Sequence, residues 1–215
     1  MDGAGYHRLM DLPFPLSWAV PAETFRSDDG ALSISAGPRT DMFVDPGGDA
    51  PSLGAPRLLG APPDGDFQLS ARVRVGFAAT YDAGALLVWA DPANWAKLCF
   101  ERSPQGRPMA VSVVTRGVSD DANGFTVDGD TLWLRVSRLG PAWAFHASTS
   151  ASTSASTRDS AGTTCWHFVR HFALAVPAPV SVGFEAQSPT GDGCTVEFDQ
   201  IRFVAGRLAD LRSGD

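Results

Sequence analysis

Hydrophobic and polar residues alternate in short segments along most of the chain, and residues that favour turns stand between the segments. Because successive side chains on a β-strand point to opposite faces, this two-residue period indicates antiparallel strands and not helices. The number and spacing of the segments are typical of a β-sandwich or a barrel. We predict strands at 32–35, 41–44, 67–75, 84–90, 96–101, 109–115, 131–138, 142–148, 166–171, 179–186 and 196–204.

Two segments depart from the alternating pattern. The tetrapeptide ASTS occurs at 147–150 and again at 151–154, and such small polar side chains cannot offset the entropy lost on ordering, which predicts a flexible hairpin loop at 147–162. Near the end, Leu208 and Leu211 indicate either a short helix or a frayed tail. A length of 215 residues is ordinary for one β-sandwich. We therefore predict a single domain over residues 1–205, followed by a tail at 206–215.

The central stretch YDAGALLVWA at 81–90, continued by DPANWAKLCFE at 91–101, resembles the unknown-function domains related to the regulation-of-enolase protein. Further matching segments follow the expected order at 40–41, 111–115, 132–136 and 197–203. The resemblance implies an all-β, concanavalin A-like jelly roll, a sandwich of two antiparallel sheets, and no settled chemistry. The ASTS repeat departs from the family, which usually has a tight Asp-Gly hairpin there.

The charge and the cysteine content limit the cellular location and the classes of partner that we expect. The chain has 17 basic and 24 acidic residues, a net charge of -7, and the basic residues are scattered singly, so nucleic acid and anionic membranes are poor partners. No basic and apolar leader begins the sequence, and no stretch approaches a membrane span. Cys99, Cys165 and Cys194 cannot all pair within one chain. We expect a cytoplasmic monomer without a cofactor.

One face of the central strands is predicted to carry charged side chains beside an aromatic one. Alternation places Lys97 and Glu101 opposite Leu98 and Phe100, which belong to the core. Trp89, on the neighbouring strand, is expected on the same surface as the lysine and the glutamate. The arrangement predicts a charged pair beside an indole on the open face of the sheet.

Four further residues are expected to reach this surface. Alternation in 132–136 buries the leucines and turns Trp133 and Arg135 outward, and Asp41 and His146 are assigned to the same side. Flat aromatic rings can stack on sugar rings, while carboxylates, Arg and Lys bind hydroxyl groups. We therefore interpret the chain as a non-catalytic module that binds a carbohydrate or a similar polyhydroxylated ligand. The predicted ligand-binding residues are Asp41, Trp89, Lys97, Glu101, Trp133, Arg135 and His146.

Three alternatives stay open at this stage. The Lys97 and Glu101 pair could merely solubilise the sheet, although exposed pairs contribute little to stability. The family resemblance suggests an intracellular regulatory protein that binds a protein partner. A glycan hydrolase would need paired carboxylates, and Glu101, Glu197 and Asp199 are the candidates. The last two resemble the Glu-x-Asp-x-x-Glu strand of laminarinase-type jelly rolls, but Arg202 stands in place of the third carboxylate.

The histidines do not predict a metal site. His167 and His171 lie four residues apart on a predicted strand, which separates them by about 13 Å. At that distance the two side chains cannot share one ion without a large displacement. We predict no metal site.

Overall fold

The computed structural model describes residues 7–9, 11–28, 30–149, 166–174, 176 and 179–214. These residues form strands and turns, with no helix among them long and apolar enough to span a membrane. The strands are β1 (Ser17–Val20), β2 (Thr24–Asp28), β3 (Ala31–Ala36), β4 (Met42–Phe43), β5 (Ser52–Leu53), β6 (Arg57–Gly60), β7 (Phe67–Val75), β8 (Ala83–Asp91), β9 (Asn94–Arg102), β10 (Pro108–Arg116), β11 (Val118–Thr126), β12 (Thr131–Leu139), β13 (Ala142–Ser148), β14 (His167–Ala173), β15 (Ser181–Gln187) and β16 (Cys194–Ala205).

Two large antiparallel sheets form the molecule. The first sheet has the strand order β1-β6-β15-β8-β9-β10-β11, and the second has the order β14-β13-β12-β7-β16-β3-β2. A short pair, β4 and β5, stands apart from both sheets. The predicted fold class, an all-β jelly-roll sandwich of two antiparallel sheets, is confirmed.

The main core fills the space between the two sheets. Phe184 of the first sheet packs on Phe198 of the second, with ring centroids 5.1 Å apart, and burial of each ring stabilises the fold by roughly 1.5–3 kcal/mol. Gly84 lets β8 approach the second sheet, because a Cβ atom on it would lie 2.3 Å from Cγ1 of Val196. The close packing of the two sheets therefore depends on the absence of a side chain at Gly84.

The opposite face of the first sheet is also apolar near its centre. Leu87, Cys99 and Val113 are buried there in a second cluster. The segment at 40–55, which contains β4 and β5, covers this face and contributes Met42 and Ala55 to the cluster. Parts of β8, β9 and β10 are thus buried on both faces, which explains their nearly continuous apolar runs.

For two of the strands that the pattern did not predict, the structure shows why the pattern missed them. The segment β11 is polar and mostly exposed at the edge of the first sheet, so it lacks an apolar alternation. The segment β6 is buried at all four positions, so it shows no alternation either. The pattern also missed β1, β2 and β5.

The two segments that departed from the pattern have different outcomes. The chain at 207–214 forms bends and turns, not a helix, and Leu208 packs on Leu139 and Ala144. From residue 150 onward, the predicted loop at 147–162 lies outside the described residues, as does Cys165. The other two cysteines, Cys99 and Cys194, are buried and free. The division into a domain at 1–205 and a tail stays a prediction.

Candidate functional site

A cavity of about 350 Å³ lies on the outer face of the first sheet, beside the segment at 40–55. That volume is within the range of small-molecule sites. Strands β9, β10, β11 and β15 contribute side chains, and the loops before β8 and after β15 complete the wall. The lining residues are Asp41, Phe43, Asp45, Tyr81, Lys97, Glu101, Val111, Val113, Asp121, Gln187 and Pro189.

Lys97 is the cation of this cavity, and its side chain is only 2% exposed. Its Nζ lies 3.4 Å from Oε1 of Glu185 and 4.0 Å from Oδ1 of Asp41, and it donates a hydrogen bond to Oε1 of Gln187. Burial lowers the pKa of Lys97, but the carboxylates of Glu185 and Asp41 outweigh that effect and raise the pKa above its ordinary value. Lys97 therefore stays protonated at neutral pH.

The small residues of β8 make this pairing possible. Strand β8 lies between β9 and β15, so Lys97 and Glu185 are separated by two strand spacings, about 9.5 Å. Ala85 pairs with Glu185, and Ala83 pairs with both Glu101 and Gln187. Because both alanines are small, the long Lys97 side chain can cross β8 and reach the carboxylate.

Glu185 is fully buried beneath the cavity, and its Oε2 has no hydrogen-bond partner among the described residues. Burial raises the pKa of Glu185, while Lys97 opposes the rise. Arg57, directly opposite Glu185 in the β6–β15 pair, has its pKa lowered by burial against the opposing effect of Glu185. Its Nη1 donates to the carbonyl oxygens of Leu53 and Ala55, at 2.9 and 3.2 Å. The buried charges therefore hold the covering segment in place.

Glu101 lines the cavity as a carboxyl group without a hydrogen bond or an ion pair to any described residue. Burial raises the pKa of Glu101 to about 7, with Lys97 opposing the rise and Asp41 and Glu185 adding to it. The group can consequently exchange a proton near neutral pH. A polar ligand in the cavity would find it available as an acceptor or a donor.

Tyr81 stands at the rim with its backbone in the left-handed region, at φ 67°. That conformation costs a bulky L-residue about 1–2 kcal/mol. Its N–H donates to the carbonyl of Arg102 at 2.8 Å, and its own carbonyl accepts from Nε2 of Gln187 at 3.1 Å. Buried Asp82 accepts hydrogen bonds from the N–H groups of Ala78 and Ala79. The loop is therefore fixed, and it leaves Tyr81 40% exposed beside the cavity.

The structure brings three of the predicted site residues together and separates Trp89 from them. Asp41, Lys97 and Glu101 all line the cavity, whereas Trp89 does not. The half-buried Trp89 lies under the guanidinium of Arg57, 4.6 Å from the ring centroid. The expectation that its ring is an open stacking platform is therefore wrong. Lys97 pairs with Glu185 and Asp41, so the predicted pairing with Glu101 is also wrong.

Trp133, Arg135 and His146 lie on the other sheet, because β12 and β13 belong to the second sheet. The expectation that they share the surface of Lys97 is wrong. Alternation specifies the face of a strand but not the sheet that the strand joins. All three side chains are also buried, at 6%, 4% and 0% exposure.

The C-terminal segment covers part of this second surface. Arg135 donates from Nη2 to the carbonyl of Gly214 at 2.7 Å, and Nε2 of His146 lies 2.8 Å from the carbonyl oxygen of Leu211. Burial, followed by the nearby charge of Arg135, lowers the pKa of His146 to about 4. The imidazole is thus neutral at pH 7, and its Nε2 donates to the carbonyl.

The carboxylates nominated for hydrolysis do not converge. Glu197 and Asp199 lie on β16 of the second sheet, where Glu197 is 3.3 Å from Arg74 and Asp199 accepts hydrogen bonds from Arg72. Glu101 lies on the first sheet. Within the described ranges, no group of three or more His, Cys, Asp or Glu side chains is arranged to hold a metal ion.

Sequence reasoning missed several residues that line the cavity. Gln187 had a usable signal, because it follows Glu185 by two residues and directly extends the strand predicted at 179–186, on the face opposite the buried Phe184 and Ala186. Asp121 had none, since β11 is mostly polar and exposed and shows no apolar alternation. Tyr81 had none either, because nothing in its neighbourhood predicts a left-handed tyrosine.

Comparisons with known proteins agree with this architecture. The model of one family, described as a protein of unknown function (DUF1349), matches residues 18–205. No curated protein matches the chain. A functionally unknown protein from Saccharomyces cerevisiae is 20% identical, with a TM-score of 0.75, over 89% of this chain and 97% of that one.

Two carbohydrate-active enzymes share the fold at lower identity. The GH43 protein BlXynB from Bacillus licheniformis is 13% identical, with a TM-score of 0.67, over 89% of this chain and 37% of that one. The alginate lyase from Klebsiella pneumoniae is 12% identical, with a TM-score of 0.55, over 89% and 95% of the two chains. This chain thus spans little more than a third of the GH43 protein.

Proposed function

Since this chain belongs to DUF1349, a family of proteins of unknown function, we propose a function from the geometry of its own cavity. The protein binds a saccharide, or a similar polyhydroxylated ligand, on the outer face of the first sheet and does not transform it. The observation that carries the proposal is the free carboxyl group of Glu101, which faces the same cavity as Lys97 and Gln187. These groups lie beside an apolar floor of Val111 and Val113.

The lining matches the two kinds of surface that a sugar ring presents. Ring hydroxyl groups both donate and accept hydrogen bonds, and the carboxyl groups of Glu101, Asp41 and Asp121 in the lining supply acceptors. The C–H faces of the ring are apolar, and Val111, Val113 and the exposed Tyr81 ring supply apolar and aromatic surface. A few convergent polar groups on an apolar wall are characteristic of small-molecule sites.

The strained backbone of Tyr81 supports the same conclusion. Strain of this kind persists only where the surroundings fix it, and it is concentrated at functional sites. Here Asp82 and its hydrogen bonds to Ala78, Ala79 and Ser188 hold the loop. The free-energy cost of the left-handed backbone at Tyr81 is consistent with a ring that the protein positions before the ligand binds.

The comparisons support a carbohydrate ligand only through the fold. Domains of similar architecture occur in the GH43 protein and in the alginate lyase, but one fold hosts many functions. The hydrolase alternative is weakened because two of its three carboxylates, Glu197 and Asp199, are ion-paired on the second sheet. The regulatory role implied by the regulation-of-enolase resemblance, the cytoplasmic location and the monomeric state all stay predictions.

Replacing Tyr81 tests the proposed function. We expect Tyr81→Gly to weaken the binding of oligosaccharides about tenfold, because a stacked ring contributes on the order of 1 kcal/mol beyond its buried area. Glycine adopts the left-handed conformation without strain, so the variant should be at least as stable as the wild type. Titration calorimetry against a panel of neutral, aminated and acidic oligosaccharides measures the first effect, and urea unfolding measures the second.

The matched control is Val204→Ala, which removes another exposed apolar side chain, 52% exposed on the second sheet. It should bind like the wild type. If the wild type binds no saccharide in the panel, or if Tyr81→Gly binds as tightly as the wild type, the proposed function is wrong.

A further inference from the structure

The side chains that line the cavity include more acidic than basic groups. Four carboxyl groups line it, on Asp41, Asp45, Glu101 and Asp121, and Lys97 is the only lysine, arginine or histidine among its lining residues in the described chain. In addition, the charge of Lys97 is already matched by Glu185 beneath it, at 3.4 Å. The cavity therefore presents a surplus of negative charge to whatever enters it.

Glu101 adds to this surplus a carboxyl group that has no partner among the described residues. No described residue donates a hydrogen bond to its carboxyl group or forms an ion pair with it. A partly desolvated carboxylate without a protein donor is destabilising, and a charged donor compensates it better than a neutral one does. A hydroxyl group would compensate Glu101 in part, whereas an ammonium group would supply both the hydrogen bond and the opposite charge.

We propose that the ligand is a cationic saccharide, an amino sugar or its oligomer with free ammonium groups, and that Glu101 anchors one of those groups. This inference rests on the proposed saccharide function and specifies its substrate class. Acidic sugars are disfavoured because their carboxylates would approach Asp41, Asp45 and Asp121. N-acetylated sugars are disfavoured because they lack the charge and leave Glu101 with a neutral partner.

The test compares ligands that differ in charge and little else. Glucosamine oligomers, their N-acetylated counterparts of equal length, neutral glucose oligomers and uronic acid oligomers are titrated into the full chain at pH 6. We expect the aminated oligomer to bind at least tenfold more tightly than the N-acetylated one. Because the preference is electrostatic, it should shrink as the salt concentration rises.

The Glu101→Gln variant tests whether Glu101 is the residue that binds the ammonium group. The variant should lose the tenfold preference, while its affinity for the neutral oligomer changes by less than about threefold.

Binding of the ammonium should also release a proton from Glu101 at pH 6, because the pKa of that group is raised to about 7 and a bound cation lowers it. Calorimetry in buffers of different ionisation enthalpy measures this release, which should be absent in Glu101→Gln. Glu23→Gln, which removes an exposed carboxylate outside the cavity, should behave like the wild type.

The outcomes separate the two proposals. If neutral or N-acetylated oligomers bind as tightly as the aminated one, the inference about charge is wrong while saccharide binding stands. If the preference survives in Glu101→Gln, Glu101 is not the anchor, and the inference is again wrong. If no oligomer binds, saccharide binding itself is wrong, and the inference fails with it.

Discussion

Replacing Lys97 with methionine should lower the free energy of unfolding by about 3–5 kcal/mol, because removal of one partner leaves a buried charge uncompensated. Lys97 is 2% exposed and Glu185 is fully buried, so water cannot replace the lost ammonium. Methionine keeps most of the side-chain volume, which limits any contribution from a cavity. Urea unfolding at pH 7, followed by tryptophan fluorescence, measures the change.

The double variant Lys97→Met, Glu185→Gln separates charge from packing. Removing the stranded carboxylate should restore at least about 2 kcal/mol, because the remaining cost is then mainly the loss of hydrogen bonds. Arg74→Met is the matched control, since Arg74 also faces two carboxylates, at 3.3 Å each, but is 45% exposed. It should cost less than about 1 kcal/mol. A loss from Lys97→Met as small as that of the control would contradict the buried pair.

The stability contributed by Lys97 should not be lost in the mildly alkaline range. The pKa of Lys97 is raised in the folded protein, so its contribution is fully present below the ordinary lysine pKa and is lost only as the pH rises above it. Because Lys97 also lowers the pKa values of Glu101 and Glu185, the difference in unfolding free energy between the wild type and Lys97→Met should be as large or larger at about pH 9 than at about pH 8, and a smaller difference in urea unfolding would contradict the raised pKa of Lys97.

Glu101→Gln should have the opposite effect and stabilise the protein at pH 8 by about 1–3 kcal/mol. Burial raises the pKa of Glu101 to about 7, whereas its ordinary value is 4.5. Between these values the folded state binds more protons than the unfolded state, so the wild type loses stability as the pH rises. A tenfold change in the proton affinity of a group corresponds to about 1.4 kcal/mol, and the effect is reduced here because the carboxyl group faces the open cavity.

Measurements at two pH values distinguish this effect from a general gain in packing. At pH 4 and below, Glu101 is protonated in the folded state and mostly protonated in the unfolded state, so the variant should match the wild type within about 0.5 kcal/mol. The charges that face Glu101 are those of Lys97, Asp41, Glu185 and Asp121, and all of them are unchanged in the variant. Glu23→Gln, at an exposed site, should change stability by less than about 0.5 kcal/mol at either pH. Equal stabilisation by Glu101→Gln at pH 4 and pH 8 would contradict the assigned cause.

If Glu101→Gln stabilises the protein and also weakens ligand selectivity, the wild type keeps Glu101 for binding and not for stability. An active or binding site often keeps a destabilising group because the ligand needs it. Glu101→Gln is expected to be more stable and to have lost its preference for charge. Both effects would have the same origin, a carboxyl group that the protein itself leaves without a partner.

Local pattern was sufficient for most of the described strands and for the inner and outer faces of β9. Alternation assigned Leu98 and Phe100 to the core and placed Lys97 and Glu101 on the opposite face, where they lie in the structure. It failed for β6 and β11, because one is buried on every side and the other is an exposed polar edge. Neither environment produces a two-residue period.

The composition of the site depended on contacts that no local pattern contains. Lys97 binds Glu185 from 88 residues away in the chain, and Arg57 covers Trp89. Trp133 and Arg135 have the outward direction that alternation predicts, but β12 belongs to the second sheet. The sequence by itself thus determined the all-β class and the two faces of most strands, since the alternation of side chains is a local property of extended backbone. Only the tertiary structure decided which strands became neighbours and which outer face the segment at 40–55 covered, because strand order depends on packing between residues that are distant in the chain.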